Sequence, residues 1–153
     1  MTLAIEPLTH DGIMALAPEM AAIDPWRRLG IDAGRLTASL TTTRSDVISF
    51  EARRDGTVRG LLSMRLDWLF GPYIRLLAVL PSAQSSGVGS GLIAHAADIA
   101  RSRNDSNLWV CASAFNTAAI GFYERQGFAR IGTLHGLVVP TEDEVLLRLQ
   151  LTP

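Results

Sequence analysis

The 153-residue sequence contains no lysine; all 14 of its basic side chains are arginines. They face 15 Asp and Glu, for a formal net charge of −1. The basic excess that marks a nucleic-acid-binding surface is therefore missing, and no nucleic-acid partner is expected. The arginine-only usage reads as compositional bias, because Arg serves a solvated surface as well as Lys does. A single cysteine, Cys111, excludes an internal disulfide framework and any multi-cysteine metal site. His10, His95 and His135 share no ligand spacing with one another or with Cys111, so no metal is expected. No run of ~20 apolar residues is present to span a bilayer. The opening "MTLAIEPLTHDG" lacks the basic start and long apolar stretch of a signal peptide. A cytoplasmic protein without a membrane partner is the expectation.

What is there is apolar and patterned. Hydrophobic residues make up 48% of the chain and charged ones 19%, enough for a substantial core at the usual size of one domain. Neither a repeat nor a low-complexity linker divides it, so residues 1–153 are expected to form one domain. "TLAIEPL" reads as a short strand. In the segment that follows, Ile13, Leu16, Met20 and Ile23 share one helical face despite Pro18. "DPW" breaks the pattern, and a second helix is expected from about Arg28 to Leu40, weakened by Gly30 and Gly34. Ile48, Phe50 and Ala52 then alternate with polar residues, and Asp55-Gly56 signals a hairpin into a second alternating run, Val58 to Leu66. "YIRLLAVL" and "NLWVCASAF" read as strands buried on both faces. A helix lies between them, and Asn116 caps a short one, "TAAIGFYERQ", that Gly127 terminates. Two more strands close the chain. The expected fold is a mixed α/β structure with a mostly antiparallel sheet of about seven strands and helices on both faces.

The segment with most chemical promise is "QSSGVGSG", residues 84–91. Backbone N–H groups at a helix start lack partners and carry partial positive charge, which suits phosphate oxygens. Glycines at 87, 89 and 91 remove Cβ atoms that would hold an anion away, or they simply tighten a strand-to-helix connection. Leu92 stands where a dinucleotide fingerprint needs glycine, and no P-loop lysine follows.

The surrounding residues are more specific. "LLAVLPSAQSSGVGSGLI" carries Leu-x-Val-x-Pro-x-x-Gln-x-x-Gly-x-Gly, and about thirty residues later comes "NTAAIGFYERQGF". The two, in this order, closely resemble the acetyl-CoA signatures of the GNAT superfamily of N-acetyltransferases, and the element order over nearly the whole chain fits that fold.

That resemblance implies acetyl-CoA as cosubstrate and an amine as acceptor. The strand before the glycine loop would splay from its neighbour, and the main chain of Leu77, Ala78 and Val79 would receive the pantetheine arm, with the Leu77 N–H polarising the thioester carbonyl. Gln84, Ser85, Ser86, Gly87, Val88, Gly89 and Ser90 would wrap the pyrophosphate. Ser85 and Ser86 stand where many relatives place Arg or Lys, which turns attention to Arg101 and Arg103 for the nucleotide end. Tyr123 would protonate the departing thiolate as general acid; read from its helix alone it is more readily a core tyrosine, and the motif around it reverses that preference. Asn116 would contact the arm, cap its helix, or both.

A general base is less defined. Relatives that acetylate protein N-termini often carry Glu where Cys111 stands here. Cys111 reads as a buried structural thiol. Glu51, Asp67, His135 and Glu144 are the other candidates. Glu144, opening the last strand, reads either as a group near the acceptor cleft or, the favoured reading, as a solvated carboxylate at a strand edge. Water-mediated deprotonation without a dedicated base is the remaining alternative. Trp26 is the candidate acceptor-binding residue, with Trp68, Phe70 and Tyr73 as a second aromatic cluster and Asp24 as a partner for an amine or a turn residue. The expected function is acetyl transfer to a primary amine of a small molecule or a protein N-terminus, and the alternative is a non-catalytic acyl-CoA-binding sensor or partner module. A homodimer is expected to pair through the alternating last strand.

Overall fold

The computed structural model describes residues 2–152. Seven strands form one sheet: β1 (Leu3–Pro7), β2 (Val47–Arg54), β3 (Thr57–Arg65), β4 (Tyr73–Val79), β5 (Asn107–Ser113), β6 (Ala129–Leu134) and β7 (Glu144–Gln150). Their spatial order is β1-β2-β3-β4-β5-β7-β6. Every neighbouring pair is antiparallel except β4 and β5.

The alternation of each strand puts its side chains on two faces, and helices cover both. On one face α1 (His10–Ala21), α2 (Trp26–Leu29) and α3 (Ala33–Thr41) bury Leu16, Met20, Trp26 and Leu36 against Leu61, Ala78 and Leu80. On the other, α4 (Val88–Ser102) and α5 (Thr117–Arg125) bury Val88, Leu92, Ala96 and Ile120 against Phe50, Leu62, Val110 and Leu147. The segment expected as one helix from Arg28 to Leu40 is two. Gly30, in the left-handed region at φ 73°, ends α2, and the Asp32 side chain accepts the Arg35 N–H (2.8 Å) to cap α3. A second local clamp ties α1 to the sheet, with Glu51 of β2 accepting both the Thr9 N–H (2.8 Å) and the Thr9 hydroxyl (2.7 Å).

Two features of the topology position the site. Ser63 faces Leu76 and Met64 faces Ile74, so Arg75 is an extra, unopposed residue of β4. Such a bulge bends its strand and increases the local twist. On its other edge β4 pairs with β5 only at Tyr73–Trp109 and Ile74–Val110. Beyond those two pairs the strands part, as expected. The expectation for the last strand fails: β7 lies between β5 and β6, hydrogen-bonded on both edges, so it offers no edge to a second copy. The end strands are β1 and β6.

Candidate active site

Past Ile74, one edge of β4 is free of strand partners. The Leu80 N–H donates to the Arg59 carbonyl of β3 (2.8 Å). Successive residues of an extended strand direct their main-chain groups to opposite edges, so Leu77 and Val79 turn theirs to the open side. The Val79 carbonyl accepts a hydrogen bond from the Gln84 side chain there (3.3 Å).

The loop after β4 makes one 3-10 turn, Pro81–Ala83, and enters α4 through Gly87, held in the left-handed region at φ 87° with open space where a Cβ would stand. The Gly91 N–H is bonded to the Gly87 carbonyl (3.0 Å), so the N–H groups before it lie at the unpaired helix start. The other two glycines are also sites of close packing. A Cβ on Gly89 would lie 3.0 Å from the Phe122 ring of α5, and one on Gly91 2.6 Å from Leu3 of β1. They bring α4 close to its neighbours, which leaves Gly87 alone as the glycine of the turn.

Two cavities meet under the open edge. The larger, about 540 Å3, runs along Leu77, Ala78, Val79, Gln84, Ser85, Gly87, Gly89 and Ser90 to α5. The smaller, about 190 Å3, lies toward α2 and the β5–β7 side, between Tyr73, Cys111, Ser113 and Glu144. Trp26, Leu77, Asn116 and Tyr123 line both. Ser86 and Val88 line neither: the Ser86 hydroxyl donates to the Ala83 carbonyl, and the Val88 side chain is wholly buried beside Gly60.

Tyr123 sits where the cavities join, on the inner face of α5 and 6% exposed. Burial, with the Cys111 thiol nearby, pushes its hydroxyl well above the ordinary phenol range, so it is protonated at neutral pH. Phe122 and Phe128 pack edge-on against its ring at 5.3 and 5.5 Å. Asn116 caps α5, its Oδ1 accepting the Ala119 N–H (3.2 Å), and still faces both cavities. Trp26 belongs mainly to the core, 7% exposed, and presents only part of its surface to the cleft. The second aromatic cluster divides. Tyr73 lines the smaller cavity, whereas Trp68 and Phe70 stay on the outside, 43% and 82% exposed.

The base candidates separate by position. Glu51 lies away from both cavities; burial alone would raise its pKa, but hydrogen bonds from Thr9 and Arg53 hold it below the usual carboxylate range. Asp67 pairs with Arg103 (2.8 Å) and His135 with Asp143 (3.1 Å), both in solvent. Cys111 faces the smaller cavity with Tyr73, and burial pushes its thiol up, which disfavours the thiolate. Glu144 overturns the sequence reading. It is 6% exposed, because β5 and β6 flank it on both sides.

The expected cations are also displaced. Arg101 and Arg103 lie at the C-terminal end of α4, roughly 20 Å from its start at 1.5 Å per residue, and pair there with Asp98 (3.6 Å) and Asp67. The arginine on the larger cavity is Arg125 of α5, which makes no salt bridge among the described residues. Arg125 had no role in the sequence reading; its spacing of three from Phe122 and seven from Ala118, which line the same cavity, puts the three on one helical face. Among the described residues no group of three His, Cys, Asp or Glu could hold a metal ion, and no helix is long and apolar enough to cross a membrane.

Residues 15–128 match the acetyltransferase (GNAT) family. The streptothricin acetyltransferase of Streptomyces lavendulae is 34% identical over 91 residues, 59% of this chain and 48% of that protein, so the match spans about half the length of that curated relative. Among solved structures, the ribosomal-protein-S18-alanine N-acetyltransferase from Escherichia coli superposes with a TM-score of 0.78 at 21% identity, over 99% of this chain and 96% of the other. A Bacillus anthracis str. Ames protein named as a streptothricin acetyltransferase, solved in complex with acetyl coenzyme A, gives a TM-score of 0.67 at 23% identity, over 74% and 68%. At these identities the two structures attest the fold.

Proposed function

This chain belongs to the acetyltransferase (GNAT) family, and we propose that it transfers an acetyl group from acetyl-CoA to a primary amine of a small molecule or of a protein N-terminus. The observation that carries this reading is the meeting of two cavities at Tyr123 and Leu77 under the unpaired edge of β4. One cavity suits a long cofactor and the other an acceptor, and a transfer needs both to reach one point.

The main chain of Leu77 and Val79 pairs with the amides of the pantetheine arm as an added strand would. Binding displaces the Gln84 side chain from the Val79 carbonyl. The Leu77 N–H polarises the thioester carbonyl, and the pyrophosphate lies at the start of α4. Arg125 supplies the positive charge that Ser85 and Ser86 do not. The amine attacks from the smaller cavity, beside Trp26, and Tyr123 gives its proton to the departing sulfur. Burial penalises every anion in this cleft, the thiolate included, so a protonated phenol at the sulfur is favourable there.

Release of free CoA thiol, measured with a panel containing alkylamines, streptothricin and a peptide beginning with alanine, tests the reading. Turnover with at least one of them is expected. Tyr123→Phe should lower kcat roughly 10²-fold or more, within the range of general acid catalysis, with acetyl-CoA affinity unchanged. Tight acetyl-CoA binding without thiol release for any amine would instead indicate a non-catalytic acyl-CoA-binding module.

A further inference from the structure

We propose that Glu144 is the ammonium-binding and proton-accepting group of the acceptor cavity, so that the acceptor is a primary amine entering as its cation; this rests on the acetyltransferase reading above. Glu144 opens β7, facing Ser113 of β5 on one side and Leu134 of β6 on the other. Its backbone is held by both neighbours, and the residue is 6% exposed. One carboxylate oxygen, Oε2, accepts the Ser113 hydroxyl (2.7 Å); Oε1 has no partner among the described residues.

Among the described residues no cation neutralises this carboxylate. Arg75 is the one positive residue among them that lines the smaller cavity, and its guanidinium is spent on the hydroxyls of Ser63 (2.7 Å) and Ser39 (2.6 Å). Arg28 is drawn off by Glu142 (2.9 Å), and His135 by Asp143. The remaining groups facing Glu144 are the Tyr73 and Tyr123 hydroxyls and the Cys111 thiol, all neutral at pH 7. Desolvation, with the neighbouring Glu142, pushes Glu144 above the usual carboxylate range, while Ser113 opposes that rise. A buried acid without a counter-ion is costly, and an incoming ammonium supplies the missing charge. The rings of Tyr73, Tyr123 and Trp26 around the cavity favour the same ion.

The same burial makes the ion pair give way to its neutral form. An alkylammonium has a pKa of about 10.4 in water, but desolvation lowers it and raises that of the acid, so the two converge. The ammonium passes one proton to Oε1 of Glu144 and becomes a neutral amine. Its lone pair forms the C–N bond to the thioester carbon, and the C–S bond then breaks with its electron pair leaving on sulfur. Tyr123 protonates that sulfur and regains a proton from the amide nitrogen as it loses its positive charge. Glu144 returns its proton to water, so one proton is released for each acetyl group transferred. The rate with respect to total amine should rise as Glu144 ionises and fall as the free ammonium loses its proton.

The test measures kcat/KM against pH for the wild type, Glu144→Gln and Ser113→Ala, with whichever amine of the panel turns over, and acetyl-CoA affinity as the control for folding. Glu144→Gln should lose about 100-fold or more and its rising limb, with acetyl-CoA affinity kept. Ser113→Ala keeps the carboxylate but removes a hydrogen bond that favours its ionised form, so its rising limb should move to higher pH. Activity of Glu144→Gln within twofold of wild type, or an unmoved limb in Ser113→Ala, overturns the inference and leaves the acetyltransferase reading standing. A wild type inactive with every amine overturns both.

Discussion

Arg125 and Glu144 show what decides a site at the level of single residues. Each is a charged side chain on one of the two cavities without an opposite charge beside it among the described residues, whereas most charges elsewhere are paired. For Arg125 the expected ligand is the phosphate of CoA. Arg125→Ala should weaken CoA about 5- to 10-fold, as a partly exposed charge-assisted contact does. Calorimetry at low and high salt should show the difference shrinking as salt rises; an unchanged affinity at low salt would remove Arg125 from the cofactor site. Tyr123, Leu77 and Asn116 were legible because two motifs fix their places relative to one another. Arg125 was not, since one helical face can serve packing or ligand with the same spacing. Glu144 was misread for a topological reason: a carboxylate opening a last strand is solvated only if that strand is an edge, and insertion of β7 between β5 and β6 buries it.

Elements meet at joints that carry their own consequences. The Thr9–Glu51–Arg53 cluster fastens the start of α1 to β2, and Gly12 of α1 lies so close that a Cβ there would overlap the Glu51 carboxylate. Gly12→Ala should therefore cost about 1–3 kcal/mol of stability, the usual penalty for overpacking, in chemical denaturation. The same joint has a pH signature. Because the folded-state pKa of Glu51 is depressed, its contribution is fully present above the ordinary carboxylate value and is lost as pH falls through the folded one. Glu51→Gln should flatten the acid side of the stability profile; an unaltered profile would show that other carboxylates carry it. The glycine-rich entry to α4 was legible as a place of close approach, but not as to what approaches. Gly87 admits the turn, while Gly89 and Gly91 admit Phe122 and Leu3. Composition cannot distinguish a ligand from a neighbouring helix, since either requires the Cβ to be absent.

Across the whole molecule, the alternating strands and the hairpin at Asp55-Gly56 made the seven-stranded sheet and its two covered faces readable in advance. The split of the second helix was signalled by Gly30 yet outweighed by the run of helix formers around it. Strand order lay beyond local patterning, because it depends on contacts distant in sequence. That order is what creates the site. A parallel pair in an otherwise antiparallel sheet, with a bulge at Arg75, opens after two residue pairs and leaves the main chain of Leu77 and Val79 facing a cleft. The central claim is that this open edge receives the arm of acetyl-CoA and carries its thioester to Tyr123. Amide hydrogen exchange, followed residue by residue with and without acetyl-CoA, tests it most directly. Bound acetyl-CoA should slow exchange at Leu77 and Val79 at least tenfold, as added-strand hydrogen bonds do, and also at residues 87–90, with β6 unchanged. Binding that leaves the Leu77 and Val79 amides exchanging as before would place the cofactor elsewhere and contradict the account.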